Sequence, residues 1–349
     1  MGRMEAAGHS YDDAMRDGGR GPSMADVAAA AGVSHQTVSR VLNGSELVKE
    51  STRVRVLAAI DELGYRRNNA ARQLATNRSG RIGMVSAHLG FYGPSMIAVA
   101  VQDAGHEAGY EVSLVGLTDF TAETLRGAVD RLLAEAVEAI VVAVAHRTSL
   151  DRALSLELPV PMVFAQGVWS GQPMSAGIDQ VAGGLLATEH LLDLGHERVV
   201  HVTGPLDWVE AGQRRTGWQL AHERRRLLPG PELSGDWSAR SGYEAGLRIA
   251  DDPGVTAVFA GNDAMALGLL RAMHQRGRRV PEDISVIGFD DVRDAAYLWP
   301  ALTTVRQEFE GLGQCAVDLA LRALRGEPAP AAELIVPELV VRESTAPPR

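Results

Sequence analysis

Apolar residues along this chain keep two different rhythms. Between positions 23 and 64 they recur at helical spacing. Val27, Ala30 and Ala31 share a face that begins behind Ser23, a good N-cap, and ends at Gly32; Val38, Val41 and Leu42 form a second face capped by Ser34. A polar loop over 43–50 leads to a third helix at 51–63, closed by Gly64. Three short helices in such a stretch make one small bundle. Residues 1–22, glycine-rich and aperiodic, read as a disordered tail.

From residue 81 short apolar runs alternate with helical stretches. The first series has strands at 82–87, 112–117, 139–145 and 160–165, with helices at 95–108 and 122–136. A second has strands at 199–203, 257–260 and 285–289, with helices at 181–194, 210–223 and 264–276. Continuous apolar strands separated by helices indicate parallel sheets covered on both faces. The fold class predicted is therefore α/β: two doubly wound parallel-sheet lobes preceded by a small all-α helix-turn-helix domain. The expected divisions are a tail at 1–22, the head at 23–65, a linker at 66–80 and a two-lobed body at 81–345. One lobe takes about 81–178 and 309–336, the other about 179–308 and 337–345. Ligands of open parallel sheets bind beyond the carboxyl ends of the strands, where this chain places Asn262 with Asp263 and Asp290 with Asp291.

Composition adds limits. The 349 residues are 46% hydrophobic, enough for buried cores, and the single Cys315 excludes an intrachain disulfide framework or a cysteine-rich zinc site. Neither a signal-peptide core nor a membrane-length apolar run is present, so the expectation is a cytoplasmic, nucleoid-associated protein with no membrane partner. The net charge of −10 is unevenly spread: residues 20–79 carry nine basic against five acidic side chains, and the acidic excess lies in the body. A basic head on an acidic body orients an encounter with phosphates, although ordinary charge scatter also accommodates that excess.

The segment MADVAAAAGVSHQTVSRVLNG has the helix, glycine turn and second helix that seat one helix in a major groove. Its small Ala28, Ala29 and Ala30 allow close packing, while His35, Gln36, Ser39 and Arg40 face outward. Gln36 and Arg40 have the donor and acceptor geometry to read adenine and guanine edges, and Thr37, Ser39 and Asn43 suit phosphate contacts. An ordinary helical hairpin with a solvated face is the competing reading of this segment alone.

The same segment, with GYRRNNAARQLAT after it, strongly resembles the head of the lac repressor family of bacterial transcription regulators. The likeness continues over nearly all of residues 24–342 through the ordered blocks GPLDWVEAGQRRTGW, GDWSARSGYEAG, NDAMALG, PEDISVIGFDD and LTTVRQEFEGLG. It implies a periplasmic-binding-protein-like body, and a hinge helix at 68–75 that pairs with its dimer mate in the minor groove. There Leu74 would be the apolar wedge, Asn69 a cap and Arg72 a phosphate contact. Arg67 departs from the proline usual in the family, which implies a less rigid hinge. The resemblance also implies an effector cleft lined by Arg214, Asn262, Asp290 and Gln307, with Trp237 and Phe309 as aromatic walls. Directional polar groups would hold hydroxyls and aromatic faces the sugar ring. Gln166 stands where the family's namesake has an aspartate, and Ala87 and Glu210 where it has serines, which leaves the identity of the sugar open.

Together these readings predict a ligand-responsive repressor of sugar-utilisation genes, released from a palindromic operator by a sugar or glycoside. No cofactor or metal is expected. A homodimer is predicted because one head reads one half-site, and because the chain stops at STAPPR without the C-terminal helix through which the family's namesake forms tetramers. The rivals are a doubly wound enzyme, disfavoured by the lack of a phosphate loop, nucleophile elbow or metal-ligand spacing, and a sugar-binding protein without a regulatory role.

Overall fold

The computed structural model describes residues 22–42, 47–65, 78–146, 157–166, 173–328 and 332–349, with single positions at 45, 148, 153 and 330. The chain divides between Arg78 and Ser79 into two units. The expected tail up to residue 21, Asn43, and the expected hinge with Asn69, Arg72 and Leu74 lie outside the described residues.

The first unit holds α1 (Met24–Ala31), α2 (His35–Leu42) and α3 (Glu50–Leu63). Ser23 caps α1 in a reciprocal box: its hydroxyl accepts from the Asp26 amide, and the Asp26 carboxylate accepts from the Ser23 amide at 2.7 Å. Gly32 (φ 62°) and Gly64 (φ 60°) close α1 and α3 in the left-handed conformation. Val27, Ala28, Ala31, Val38, Val41, Val56, Ala59 and Tyr65 form the core. Ala28 takes the inward place expected of Ala30, which is exposed together with Ala29. The i, i+1, i+4 arc of Val27, Ala28 and Ala31, with Met24 a turn before it, packs into that core.

The second unit contains two lobes, as the apolar rhythm predicts. In the first, β1 (Arg81–Ala87), β2 (Glu111–Leu117), β3 (Ala139–Ala143) and β4 (Met162–Phe164) pair in parallel in the order β2-β1-β3-β4. Helix α4 (Tyr92–Glu107) covers one face and α5 (Ala122–Ala134) the other. A bridge from Phe164 to Ser175 continues the sheet toward β5 (Ala176–Ile178). In the second lobe α6 (Gln180–Asp193) and α7 (Val209–Arg225) cover one face of a parallel sheet, and α8 (Ala239–Ala250) and α9 (Asp263–Gln275) the other. That sheet has the order β7-β6-β8-β9, from β6 (Val199–Thr203), β7 (Glu232–Ser234), β8 (Ala257–Ala260) and β9 (Ser285–Ile287). Bridges Ile287–Thr303 and Asp290–Arg306 carry it on to β10 (Thr304–Arg306).

The chain then returns. α10 (Phe309–Leu324) packs Phe309, Leu312 and Ala316 into the first lobe's core beside Ile82 and Met84. β11 (Glu333–Ile335) pairs with β5, and β12 (Glu338–Val340) with β10. Three strands thus cross between the lobes: before α6, before α10, and between β11 and β12. Helix α4 begins three residues earlier than its expected start because Pro94 sits in its first turn, where a missing N–H costs nothing.

Candidate functional site

Helix α2 presents the face expected of a DNA reader. His35, Gln36 and Arg40 are exposed and Thr37 and Ser39 half-buried, while Val38 and Val41 are buried against α1 and α3. Thr37 also serves the fold: its amide donates to the Ser34 hydroxyl at 3.2 Å and the two hydroxyls lie 2.9 Å apart.

In the second unit a cleft lies beyond the carboxyl ends of the strands. Gln166, Arg214, Trp237, Asn262, Asp290, Gln307 and Phe309 all line it, though they come from distant stretches of chain. Arg214 is held from every side. Gly184 lets α6 press on α7, since a Cβ there would stand 2.3 Å from the Arg214 carbonyl oxygen. The guanidinium, buried at 5% exposure, donates from Nε to Gln180 Oε1 (2.8 Å) and from Nη1 to the Gly261 carbonyl. It lies 3.6 Å from Asp290 Oδ1 and 3.7 Å over the Phe289 ring.

Asp290 has left the strand with φ 113°, which turns its carboxyl into the cleft while Asp291 turns to Arg306 and Arg342. Gln307 Nε2 donates to Asp290 (2.7 Å), and Gln180 Nε2 donates to Gln307 Oε1 (2.8 Å). Arg214, Gln180, Gln307 and Asp290 therefore close a ring of polar contacts, with Gln180 opening α6 just after the first crossing and Gln307 on the crossing before α10. Burial pushes Asp290 up to about 6 despite Arg214 and Gln307, which favour its charged form. Behind it, burial and then the neighbouring Asp290 push Asp263 up to about 8; its carboxyl accepts from the Thr304 hydroxyl (2.6 Å) and the Val292 amide (2.9 Å).

Trp237, at φ 70°, lies against Gly204, where any Cβ would collide with the indole at 2.1 Å. Its carbonyl accepts from Asn262 Nδ2 (3.1 Å), and Asn262 Oδ1 caps α9 through the Met265 amide (2.9 Å). Asn262 thus combines a helix cap with a cleft position, leaving one amide N–H and one lone pair for other use. Among the described residues, Trp237 Nε1 and Gln166 Oε1 are buried with no hydrogen-bond partner. Phe309 meets Tyr92 edge-on at 5.9 Å, and Phe91 and Trp208 complete an aromatic wall. Sequence reasoning missed Gln180, Gln213, Phe91, Tyr92 and Trp208; Gln180 opens α6 directly after the cap Asp179, two residues beyond β5, a strand too short to be read from the sequence. The described residues hold no cluster of three or more metal-ligating side chains, and no helix among them is long and apolar enough to cross a membrane.

Residues 23–68 match the family model described as bacterial regulatory proteins, lacI family, and residues 188–345 match a periplasmic binding protein-like domain. The chain is 37% identical to the lactose operon repressor of Escherichia coli strain K12, over 93% of its own length and 90% of that protein's. This chain belongs to the lac repressor family. It is a regulatory protein with a DNA-binding helix-turn-helix rather than an enzyme, as its relatives are. The crystal structure of the lac repressor dimer bound to operator and the anti-inducer ONPF superposes with a TM-score of 0.80 at 35% identity, covering 94% of this chain and 100% of that one. The complex of the transcriptional regulator CelR with cellobiose gives a TM-score of 0.68 at 33% identity, covering 93% and 99%.

Proposed function

We propose that this family member is a cytoplasmic, dimeric repressor that binds a palindromic operator and is released from it by a neutral sugar or glycoside bound in the cleft. The observation that carries this reading is the convergence of seven separately encoded residues around one buried cleft, with a lone indole donor on Trp237 and a lone amide acceptor on Gln166. A hydroxyl is both donor and acceptor, so a polyhydroxy ligand satisfies both groups while the aromatic wall covers its C–H face. Among the described residues that line it, the cleft sets one guanidinium against the carboxyl groups of Asp290 and Glu210, a balance that favours a neutral ligand over a phosphate or carboxylate. Relatives named for lactose and bound to cellobiose agree with that class of ligand.

On the DNA side, Gln36 and Arg40 read base edges, and His35, Thr37, Ser39 and Asn43 support them. The linker at 66–80 carries the hinge, with Asn69, Arg72 and Leu74 at the minor groove. The body at 81–345 turns ligand occupancy into lobe position, one lobe built from about 81–178 and 309–336 and the other from about 179–308 and 337–345. Selection from a random duplex library by the purified chain tests the DNA half. Enrichment of a two-fold repeated half-site, with a dimer by light scattering, is the expected result; no enriched sequence, or a stable monomer at micromolar concentration, would overturn it.

A further inference from the structure

A second contact between the lobes stands at the lip of the cleft, away from the crossing strands, and the arginine network does not use it. His88 follows β1 and His146 follows β3 in the first lobe, while Asp207 and Trp208 precede α7 in the second. The backbones join there: the Val209 amide donates to the Ala145 carbonyl at 2.8 Å, and His146 bridges to Trp208 in antiparallel fashion. His146 lies with Nδ1 3.2 Å from Asp207 Oδ2 and Nε2 3.2 Å from His88 Nε2. The Trp208 ring stands 5.3 Å from His88 and 5.2 Å from His146, and Phe91 meets it edge-on at 5.5 Å.

We propose that His88, His146 and Asp207 form a proton-sensitive clasp, which holds the two lobes together at neutral pH and lets them part on acidification. Counting protons gives the mechanism. With both imidazoles neutral, His146 donates from Nδ1 to Asp207 and accepts at Nε2 from His88. With one added proton the contact survives, because one of the two facing Nε2 atoms still lacks an N–H and accepts from the other. A second proton places an N–H on each of the two facing Nε2 atoms, so the hydrogen bond is lost and two like charges meet.

Among the described residues the titratable groups that act on His88 are His146 and Asp207, and the rings beside it include Phe91 and Trp208. Burial, followed by His146, holds His88 below the ordinary histidine value, and Asp207 opposes them. A histidine depressed in the closed contact gives that contact its full stability above an open-state value of about 6.5. Below it, closure weakens by up to about tenfold per pH unit, until the closed-state value is reached. Phe91 and Trp208 line the ligand cleft as well, so opening the clasp removes part of its wall.

Hydrogen–deuterium exchange at the Val209 amide reads the clasp directly, without a ligand, in the full chain. After correction for the intrinsic pH dependence of exchange, protection of the peptide containing Val209 is expected to be flat above pH 7. Between pH 6.5 and 5.5 it should fall several-fold, by no more than about tenfold. His88→Asn keeps a residue that tolerates the left-handed φ of 57° and removes the titrating group, and should abolish that fall. His146→Asn removes only the smaller cause and leaves His88 depressed by burial, so in that variant the fall should shrink but persist. A parent whose corrected protection is independent of pH, or a folded His88→Asn chain that follows the parent's profile, would overturn the proposal; if neither variant folds, the parent's profile decides alone.

Discussion

Arg214 shows how closely the fold holds a charged side chain that lines the cleft. Its guanidinium is desolvated, yet it is met by Gln180, Gly261, Asp290 and the Phe289 face. Removing one partner of a buried pair commonly costs about 3–5 kcal/mol because the other charge is stranded. Here Asp290 already sits at about 6, so losing Arg214 lets it take up a proton at neutral pH and keeps the penalty below that range. Arg214→Ala is therefore expected to remain folded, with a lowered melting temperature that recovers part of its loss between pH 7 and pH 5; aggregation at every pH would contradict this. At the DNA face, Gln36→Ala and Arg40→Ala should each cost about 1–3 kcal/mol of operator affinity and relax preference at one base pair, measured by titration against single-base operator variants. Unchanged affinity and preference in both would remove α2 from the recognition role.

At the scale of elements, the sequence rhythm located most of what positions the site. The apolar runs of β1, β3, β6 and β8 are buried along their whole length apart from Arg81, and they were legible for that reason. Three-residue strands such as β5, β7, β10, β11 and β12 carry too few positions for any period to show, and their place depends on partners far away in sequence. Helix α8 was missed because its serine and glycines, Ser241, Gly242 and Gly246, read as loop until the packing against α9 is known. Within the cleft, the strand-end rule alone pointed to Asn262 and Asp290, while Arg214, Trp237, Gln307 and Phe309 rested on resemblance, because a helix interior or a crossing strand gives no local sign of facing a cavity. Asp263, at the head of α9, offers a test of the buried charge. It binds its proton more tightly in the folded chain, up to about 8, than in the unfolded chain near 3.9. Its contribution is thus most favourable at acid pH and declines as pH rises from about 4 to 8. Asp263→Asn should flatten the fall in melting temperature over that window; an unchanged slope would mean that the carboxyl is ionised throughout.

For the whole molecule, the polar ring of Arg214, Gln180, Gln307 and Asp290 ties α6 and α7 to the segment after β9 and to the crossing before α10, and Gln166 and Phe309 line the same cleft from the first lobe. A ligand touching both sides binds one lobe arrangement better than another, and it shifts their balance only by that difference. A thousandfold change in operator occupancy requires about 4 kcal/mol of such coupling, summed over the sites of a dimer. Neutral mono- and disaccharides that raise the melting temperature of the parent supply the probe. The most direct measurement is then the affinity of the selected operator, with and without that sugar, for the parent and for Arg214→Ala. The account predicts that the sugar weakens operator binding by the parent at least tenfold, while Arg214→Ala binds operator as the sugar-free parent does and ignores the sugar. An Arg214→Ala chain that answers the sugar as the parent does, or a sugar that binds the parent without changing its hold on DNA, would contradict it.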